Sequence, residues 1–436
     1  MSKVYESVNN QNQIQEAEKN FDQIYMHEKP YIGKAPVKGT YKDSAMTLIK
    51  GYVGSGILAM PFSFYVGGWL LSIFIFLISA YMLILCVHYL IEVANAENKE
   101  DQGLTEVAEV TYGEKGKQVT KVILIAYQLG KAVAYLIFFI SFFAHIFSNA
   151  DSQSGAGNWI YLIMAFCIVL PLSFIDNMAR FAKLSLFANT LILIGLVYIT
   201  FYNFYQILEG DGIKENVMNL AHFEQFPMII GVTAYGFGVL PLAFAIRVTM
   251  SEPTQFKNLF NVVSYFNLGL FLAFTLLSVW GMGSRMESQQ IILFCLDKNP
   301  SSYIIQICYA FGLICSYPLQ VLPAFQQIER IEKLKSYINP ELKYSSFRRL
   351  AIRSLINLIL GLIGYSIPKF AYFVNILGAI GGASLNFIFP ILIHKKYFEK
   401  DELKRKSKFN YYGILTFGIC GGLCSFIYTI VKLTSH

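Results

Sequence analysis

Charged residues are scarce in this sequence. Only 14% of the 436 residues are Asp, Glu, Lys or Arg, against roughly 25% in an average soluble domain. Hydrophobic residues make up 55%, and the apolar runs are much longer than the ~10 residues of a membrane β-strand. The sequence therefore predicts an all-α, polytopic membrane protein. The net charge of +7 does not require a nucleic-acid partner, because the basic residues follow the pattern of loops beside a lipid bilayer.

Motifs for catalysis, metal binding and ATP hydrolysis are also missing from the sequence. The seven cysteines and six histidines form no metal-ligand spacing, and only Cys295 lies near a predicted non-cytosolic loop, so no loop disulfide is expected. No G-x-x-x-x-G-K-[ST], H-E-x-x-H or G-x-S-x-G motif occurs. We therefore expect no enzymatic activity, no cofactor and no bound metal. Residues 1–43 lack the apolar core of a signal peptide, so no cleaved leader is expected.

Long apolar runs separated by polar loops predict eleven membrane-spanning helices within a transporter-sized domain over residues 44–432. Residues 103–117 mix apolar and acidic residues and are predicted as a short amphipathic helix at the cytosolic surface, with a plain loop as the alternative. The predicted segments are approximately residues 44–66, 69–93, 119–147, 159–175, 181–207, 226–247, 257–282, 302–328, 350–367, 370–393 and 410–432.

The distribution of basic residues predicts the orientation. Lys and Arg are concentrated in residues 1–43 and in every second loop after them. Because basic residues favour the cytosolic side of a membrane, residues 1–43 are predicted as a disordered cytosolic tail and the C-terminus as non-cytosolic. The basic residues of the opposite side are Lys214, Arg285, Lys298, Lys369 and Lys432.

Two predicted segments contain glycine clusters that are unfavourable for a continuous helix. The first has GYVGSG at residues 51–56 with Pro61 behind it, and the sixth has YGFG at residues 235–238 with Pro241 behind it. Interruptions in corresponding segments of two halves are typical of a transporter's substrate site. The alternative is close helix packing through small residues. We predict that both helices break at mid-membrane and that substrate binds between the breaks.

Broken helices offer backbone groups that suit the charged ends of an amino acid. The amide groups of Ser55 and Gly56 would face a carboxylate, and the carbonyl groups near Gly51 would face an ammonium group. In the sixth segment, hydroxyl groups, bare glycine backbone and a phenylalanine ring would complete the pocket. The predicted substrate-binding residues are Gly51, Val53, Gly54, Ser55, Gly56, Thr233, Tyr235, Gly236, Phe237 and Gly238.

Five further residues are candidates for the pathway or for coupling. Lys131 lies about ten residues into the third segment, or ~15 Å deep at about 1.5 Å per residue. Because a lysine facing lipid at that depth is costly, it is predicted to serve as a tethered cation or to carry a coupled proton, unless it extends to the cytosolic interface. Tyr135, Tyr317 and Gln320 either line the pathway or pack between helices. Asn375 is either a gate or a helix–helix hydrogen bond.

Four motifs in order resemble one family. They are TLIKGYVGSGILAMP at residues 47–61, PLSFI at 171–175 followed by SLFAN at 185–189, YPLQ at 317–320 followed by Pro323, and GAIGGASLNFIFP at 378–390. With these motifs the chain resembles the amino acid/auxin permease family over about residues 44–432. It is nearest the branch of animal proton-coupled and fungal and plant vacuolar amino acid transporters.

The resemblance implies a LeuT-type fold, with segments one to five and six to ten as inverted repeats and an eleventh helix appended. It implies a secondary active transporter, a symporter that moves small amino acids by alternating access with protons or sodium across a vacuolar, lysosomal or plasma membrane. Thr47 stands where animal members often have a His linked to proton coupling. Tyr235 and Arg247 stand where relatives commonly have an acidic residue. A non-transporting amino-acid sensor with the same fold is the alternative function.

Overall fold

The described part of the chain is helical almost throughout. The computed structural model describes residues 39–97, 103–147, 159–173, 178–209, 220–329, 331–338, 345–367, 369–401 and 407–435. Within these residues no β-strand forms, and the only extended pairing is an isolated bridge between Gly39 and Met250. The main helices are α1 (Tyr41–Tyr52), α2 (Gly56–Gly67), α3 (Trp69–Ala96), α4 (Leu104–Phe147), α5 (Trp159–Leu172), α6 (Met178–Glu209), α7 (Pro227–Gly236), α8 (Leu240–Thr249), α9 (Phe256–Met282), α10 (Pro300–Glu329), α11 (Ser345–Ser366), α12 (Phe370–Tyr397) and α13 (Lys408–Thr434).

Both predicted helix interruptions are present. Residues 53–55 separate α1 from α2 within the predicted first segment, and residues 237–239 separate α7 from α8 within the predicted sixth. We call these the first break and the second break. Each break has a proline shortly after it, Pro61 inside α2 and Pro241 in the first turn of α8. The expectation of two broken helices is therefore confirmed.

Helix length and composition agree with a membrane protein. In the described residues, eight helical stretches are long and apolar enough to cross a membrane, and α2 and α5 are shorter apolar helices. α11 has Arg348, Arg349 and Arg353 in its first half, which separates it from the most apolar helices. Of the predicted tail, residues 39–43 are described, and the remainder lies outside the described residues.

The predicted surface helix at residues 103–117 forms the first part of α4. Gly113 interrupts α4 with φ of 67° and ψ of −162°. The chain therefore bends within the predicted surface helix, between residues 104–112 and the rest of α4. Such a positive φ is readily adopted by glycine but strained for residues with a Cβ. Lys117 and Glu109 form an ion pair of 2.8 Å across the bend.

The second break lies in the centre of the packed helices. In the most apolar 18 residues of Pro227–Thr249, 78% are buried, whereas in the most apolar 18 residues of α13 only 28% are buried. α7 contacts α2, α3, α12 and α13. α12 approaches α7 through glycine, since a Cβ on Gly378 would overlap the backbone of Gly231. This central helix pair positions the candidate site.

Candidate functional site between the two broken helices

The first break leaves backbone donors without partners. The Val53 amide donates to the Ile49 carbonyl at 3.1 Å, which ends α1, and α2 begins at Gly56. The amide groups of Gly54, Ser55 and Gly56 make no hydrogen bond with any described residue. The start of a helix also has partial positive charge. The first break therefore has the free donors and the charge that bind an anion such as a carboxylate.

The end of α1 packs against α8. Gly51 and Val53 are half-buried there, and a Cβ on Gly51 would lie 3.0 Å from Val239 Cγ2. Tyr52 is buried, and its hydroxyl group lies 2.8 Å from Ser264 Oγ on α9. The carbonyl end of α1 is thus held next to the second break.

The second break keeps some of its backbone hydrogen bonds. The Phe237 amide donates to the Thr233 carbonyl at 2.9 Å, and the Gly238 amide donates to the Tyr235 carbonyl at 3.0 Å. A Cβ on Gly238 would lie 2.9 Å from that Tyr235 carbonyl oxygen and would overlap the hydroxyl group of Tyr127. Position 238 therefore leaves no room for a side chain.

A buried hydrogen bond joins the two breaks. Ser55 Oγ and Tyr235 Oη are 2.7 Å apart. A Cβ on Gly56 would lie 3.0 Å from Tyr235 Cδ1 and 3.1 Å from Gly236 Cα. The close-packing interpretation of the glycines therefore holds at Gly56, where the absence of a side chain lets the two broken helices touch.

Gly54 has a different environment from the other glycines of the breaks. Its Cβ would meet only the Tyr135 hydroxyl group, at 3.7 Å, which is an ordinary van der Waals distance. Tyr135 is buried, and its ring centroid lies 6.3 Å from that of Tyr317. Space beside the free amide groups is therefore bounded by a tyrosine of α4.

Tyr317 is tied to the helices behind the site. Its hydroxyl group donates to Asn357 Oδ1 at 2.6 Å, and Asn357 Nδ2 donates to Ser173 Oγ at 2.9 Å. Tyr317 thus meets Tyr135 with its ring and α11 with its hydroxyl group. Gln320 lies one turn further along α10 and is half-buried.

Lys131 reaches the second break from α4. Its Nζ donates to the Gly238 carbonyl at 2.9 Å. The same nitrogen lies 4.9 Å from the ring centroid of Tyr127 and 5.8 Å from that of Tyr235, within the range of cation–π interactions. No carboxylate of the described residues forms an ion pair with Lys131. The Lys131 side chain therefore points into the helix bundle and does not extend to the cytosolic membrane interface.

Two other predicted residues of α7 and the second break have distinct surroundings. Phe237 packs into an aromatic cluster, with ring centroids 6.1 Å from Tyr52, 5.2 Å from Phe76 and 6.2 Å from Phe271. Thr233 is fully buried, and its Oγ1 makes no hydrogen bond with any described residue. Gly236 is half-buried beside them.

Asn375 lies away from the breaks, at the contact of α12 with α13. Its Nδ2 donates to Thr429 Oγ1 at 2.6 Å, and its Oδ1 accepts a hydrogen bond from Ser425 Oγ at 2.9 Å. Of the two sequence interpretations, this is the geometry of a helix–helix hydrogen bond.

Sequence reasoning missed the contribution of α12 to the second break. Asn386 Nδ2 donates to the Ala234 carbonyl at 2.8 Å, one residue before Tyr235. A Cβ on Gly382 would lie 2.8 Å from that carbonyl oxygen, and one on Gly381 would lie 2.5 Å from Tyr127 Cδ2. The signal was the glycine spacing in the GAIGG motif, which allows a close helix contact. It did not identify the partner helix.

The site has no arrangement for a metal. Among the described residues, no group of three or more His, Cys, Asp or Glu side chains is close enough to hold a metal ion. In the described part of the chain, Lys131 is a basic side chain that donates to the second break, and Ser55 and Tyr235 contribute hydroxyl groups.

Comparisons with known proteins identify the family and the fold of this chain. A family model described as "Transmembrane amino acid transporter protein" matches residues 37–434. The chain is 26% identical over 375 residues to "Vacuolar amino acid transporter 3" of Saccharomyces cerevisiae, covering 84% of this chain and 52% of that protein. It is 25% identical over 386 residues to "Amino acid transporter ANT1" of Arabidopsis thaliana, covering 84% of this chain and 88% of that protein. The chain thus spans about half the length of the yeast relative.

Further likenesses come from an animal relative and a solved structure. "Proton-coupled amino acid transporter-like protein pathetic" of Drosophila melanogaster is 22% identical over 397 residues, covering 86% of this chain and 79% of that protein. The crystal structure of MhsT in complex with L-phenylalanine superposes with a TM-score of 0.57 at 12% identity, covering 88% of this chain and 98% of that one. At this identity the likeness shows the fold, which is of the LeuT type.

Proposed function

The chain belongs to the transmembrane amino acid transporter family, and from that premise we propose that it is a secondary active symporter of small amino acids. It works by alternating access, and its substrate binds between the first and second breaks. The absence of an ATP-binding motif in the sequence agrees with a gradient as the energy source.

The proposal rests on the three free amide groups of the first break. The carboxylate of the substrate binds the amides of Gly54, Ser55 and Gly56, where the α2 dipole adds positive charge. Its ammonium group binds carbonyl groups at the end of α1, near Gly51, which have no helical partner. These interactions are common to all amino acids, so they recognise the class of substrate and not one side chain.

Side-chain selectivity comes from the walls around these backbone groups. Tyr135 stands 3.7 Å from the position of a Cβ on Gly54, and Tyr235 is bonded to Ser55. Thr233 offers a buried hydroxyl group without a partner among the described residues. We propose that these tyrosines limit the size of the substrate side chain.

The membrane and the coupling ion are part of the same proposal. We assign eleven spans over residues 44–432, a cytosolic N-terminus and a vacuolar or lysosomal membrane. The vacuolar relatives support this membrane, and the proton-coupled name of the insect relative supports a proton over sodium as coupling ion.

Reconstitution tests the function directly. The purified full chain is placed in liposomes loaded with unlabelled amino acid, and entry of labelled amino acid is followed for a panel of side chains. We expect saturable exchange of small neutral amino acids, and net uptake driven by a pH gradient without ATP. Saturable binding without any exchange would instead identify a sensor with this fold.

A pair of glycine variants tests the location of the site. Gly54→Leu fills the space beside the free amides and should abolish exchange, while the protein stays folded because Gly54 has no close neighbour except Tyr135. Gly269→Leu is the matched control, since Gly269 lies exposed on α9 with no atom within 4 Å of its Cβ position. Normal exchange by Gly54→Leu would contradict a substrate site at the first break.

A further inference from the structure

Among the described residues, the Lys131 side chain contacts neutral groups. It donates to the Gly238 carbonyl at 2.9 Å and lies over the rings of Tyr127 and Tyr235. Those two tyrosines are the titratable groups that face it from α4 and α7. α12 approaches at the preceding residue through an apolar side chain, with Leu377 beside Gly130. No carboxylate of the described residues forms an ion pair with Lys131.

Three other buried basic side chains, Arg353, His394 and Arg247, have hydrogen-bond partners away from the breaks. Arg353 forms an ion pair with Glu329 at 2.6 Å, between α11 and α10. His394 lies 3.0 Å from Glu92 and joins α12 to α3. Arg247 donates to Asn95 Oδ1 at 2.9 Å, at the far end of α8 from the second break. Lys131 thus differs from all three, because it donates a hydrogen bond to the backbone of a helix break.

The role follows from the strength of this bond in its two protonation states. A hydrogen bond from an ammonium group is about twice as strong as one between neutral groups. The carbonyl of Gly238 belongs to the unwound backbone between α7 and α8, so this bond holds the second break against α4. Protonated Lys131 therefore holds the second break against α4 more strongly than a neutral amine does.

Resting on the proposed function, we propose that Lys131 carries the coupled proton. On the side with fewer protons, one Nζ–H bond breaks, the proton passes to water, and the electron pair stays on the neutral amine. Once the substrate has also left, the weaker bond to Gly238 lets the empty protein return to the arrangement open to the other side. There the amine takes one proton from hydronium, the hydrogen bond to Gly238 forms again, and substrate binds before the breaks move with Lys131 protonated. One proton crosses in each cycle, with no other reactant.

The test separates exchange from coupling. Exchange of labelled for unlabelled amino acid at equal pH needs substrate binding and movement of the breaks, whereas accumulation under a pH gradient also needs a proton carrier. Wild-type protein should do both, and its exchange rate should change between pH 5 and 8. Lys131→Gln keeps a donor for the Gly238 carbonyl but has no proton to lose. It should exchange amino acid, lose accumulation and show a flat pH profile.

Two further variants complete the experiment. Lys131→Arg keeps a permanent charge, because a guanidinium group does not lose its proton in proteins, and it should also exchange without accumulating. Lys121→Gln is the matched control, since Lys121 lies on the same helix, ten residues before Lys131, and has no contact with either break. It should keep both activities and the wild-type pH profile.

Several results would overturn the inference. Gradient-driven accumulation by Lys131→Gln or Lys131→Arg would mean that another group carries the proton. Loss of exchange in both variants would mean that Lys131 only holds the site together. Accumulation by wild type under a sodium gradient alone would replace the proton as coupling ion. If wild type does not exchange amino acid at all, the proposed transport function itself fails, before the variants are compared.

Discussion

Gly238→Ala adds one methyl group to the second break, and the structure predicts a large effect from this small change. The added methyl group would overlap the Tyr127 hydroxyl group and would lie 2.9 Å from both Tyr127 Cζ and the Tyr235 carbonyl oxygen. The Tyr235 oxygen is backbone and cannot swing aside, so Tyr127 must move. The Lys131 ammonium lies over the Tyr127 ring and donates a hydrogen bond to the Gly238 carbonyl, so Lys131 must move as well.

The magnitude follows from the cost of overpacking. Extra methyl or methylene groups in a packed interior typically cost about 1–3 kcal/mol. Where this cost falls on one arrangement of a two-state element, about 1–3 kcal/mol changes its population about 5–150-fold. We expect the initial rate of amino acid exchange to fall at least about tenfold, the equivalent of 1.4 kcal/mol.

The assay compares exchange rates normalised to the amount of protein inserted in liposomes. Gly269→Ala is the control, because nothing lies within 4 Å of its Cβ position. Gly238→Ala combined with Tyr127→Phe should recover part of the rate, since the overlapping hydroxyl oxygen is gone while the contact with Tyr127 Cζ remains. A wild-type rate for Gly238→Ala, or no recovery in the double variant, would refute the steric argument.

Three further predictions concern the same fold. Tyr235→Phe and Ser55→Ala each remove the hydrogen bond between the breaks, so each should lower the free energy of unfolding by about 0.5–1.5 kcal/mol. The double variant should lower it no more than one single variant does, and additive losses would contradict a direct hydrogen bond. Arg353→Met leaves Glu329 partly buried without its partner, which should cost about 3–5 kcal/mol and lower the melting temperature in detergent; an unchanged melting temperature would contradict this. Tags before residue 1 and after the last residue should differ in protease accessibility in sealed vesicles, and equal accessibility would contradict eleven spans.

The helix breaks were predictable because their cause is local. Three glycines within residues 51–56, two within 235–238 and a following proline in each case disfavour a continuous helix whatever surrounds them. The structure interrupts the first helix at residues 53–55, inside the first cluster, and the second helix at residues 237–239, at the end of the second cluster. The family and the fold class were predictable for a related reason, since four short motifs lie in order along one chain.

The partners of the polar groups were not predictable, because they lie far apart in sequence. Depth in the membrane indicated that Lys131 faces the interior, but its acceptor is the carbonyl of a residue 107 positions away. Phe237 is predicted to wall the substrate pocket, and the sequence did not show that its ring packs in a cluster with rings from three other helices. The sequence predicts either a gate or a helix–helix hydrogen bond for Asn375, and only the position of α13 shows the hydrogen bond to Thr429.

The two breaks looked equivalent in sequence, yet their backbone groups are occupied very differently. Around the second break, the carbonyl of Gly238 is bonded to Lys131 and that of Ala234 to Asn386, so side chains from α4 and α12 already use its acceptors. At the first break, no described residue bonds the amides of Ser55 and its glycine neighbours. A carboxylate needs donors that are free before it arrives, and therefore we assign the charged end of the substrate to the first break. In our proposal, the second break is then the element whose movement depends on the protonation of Lys131.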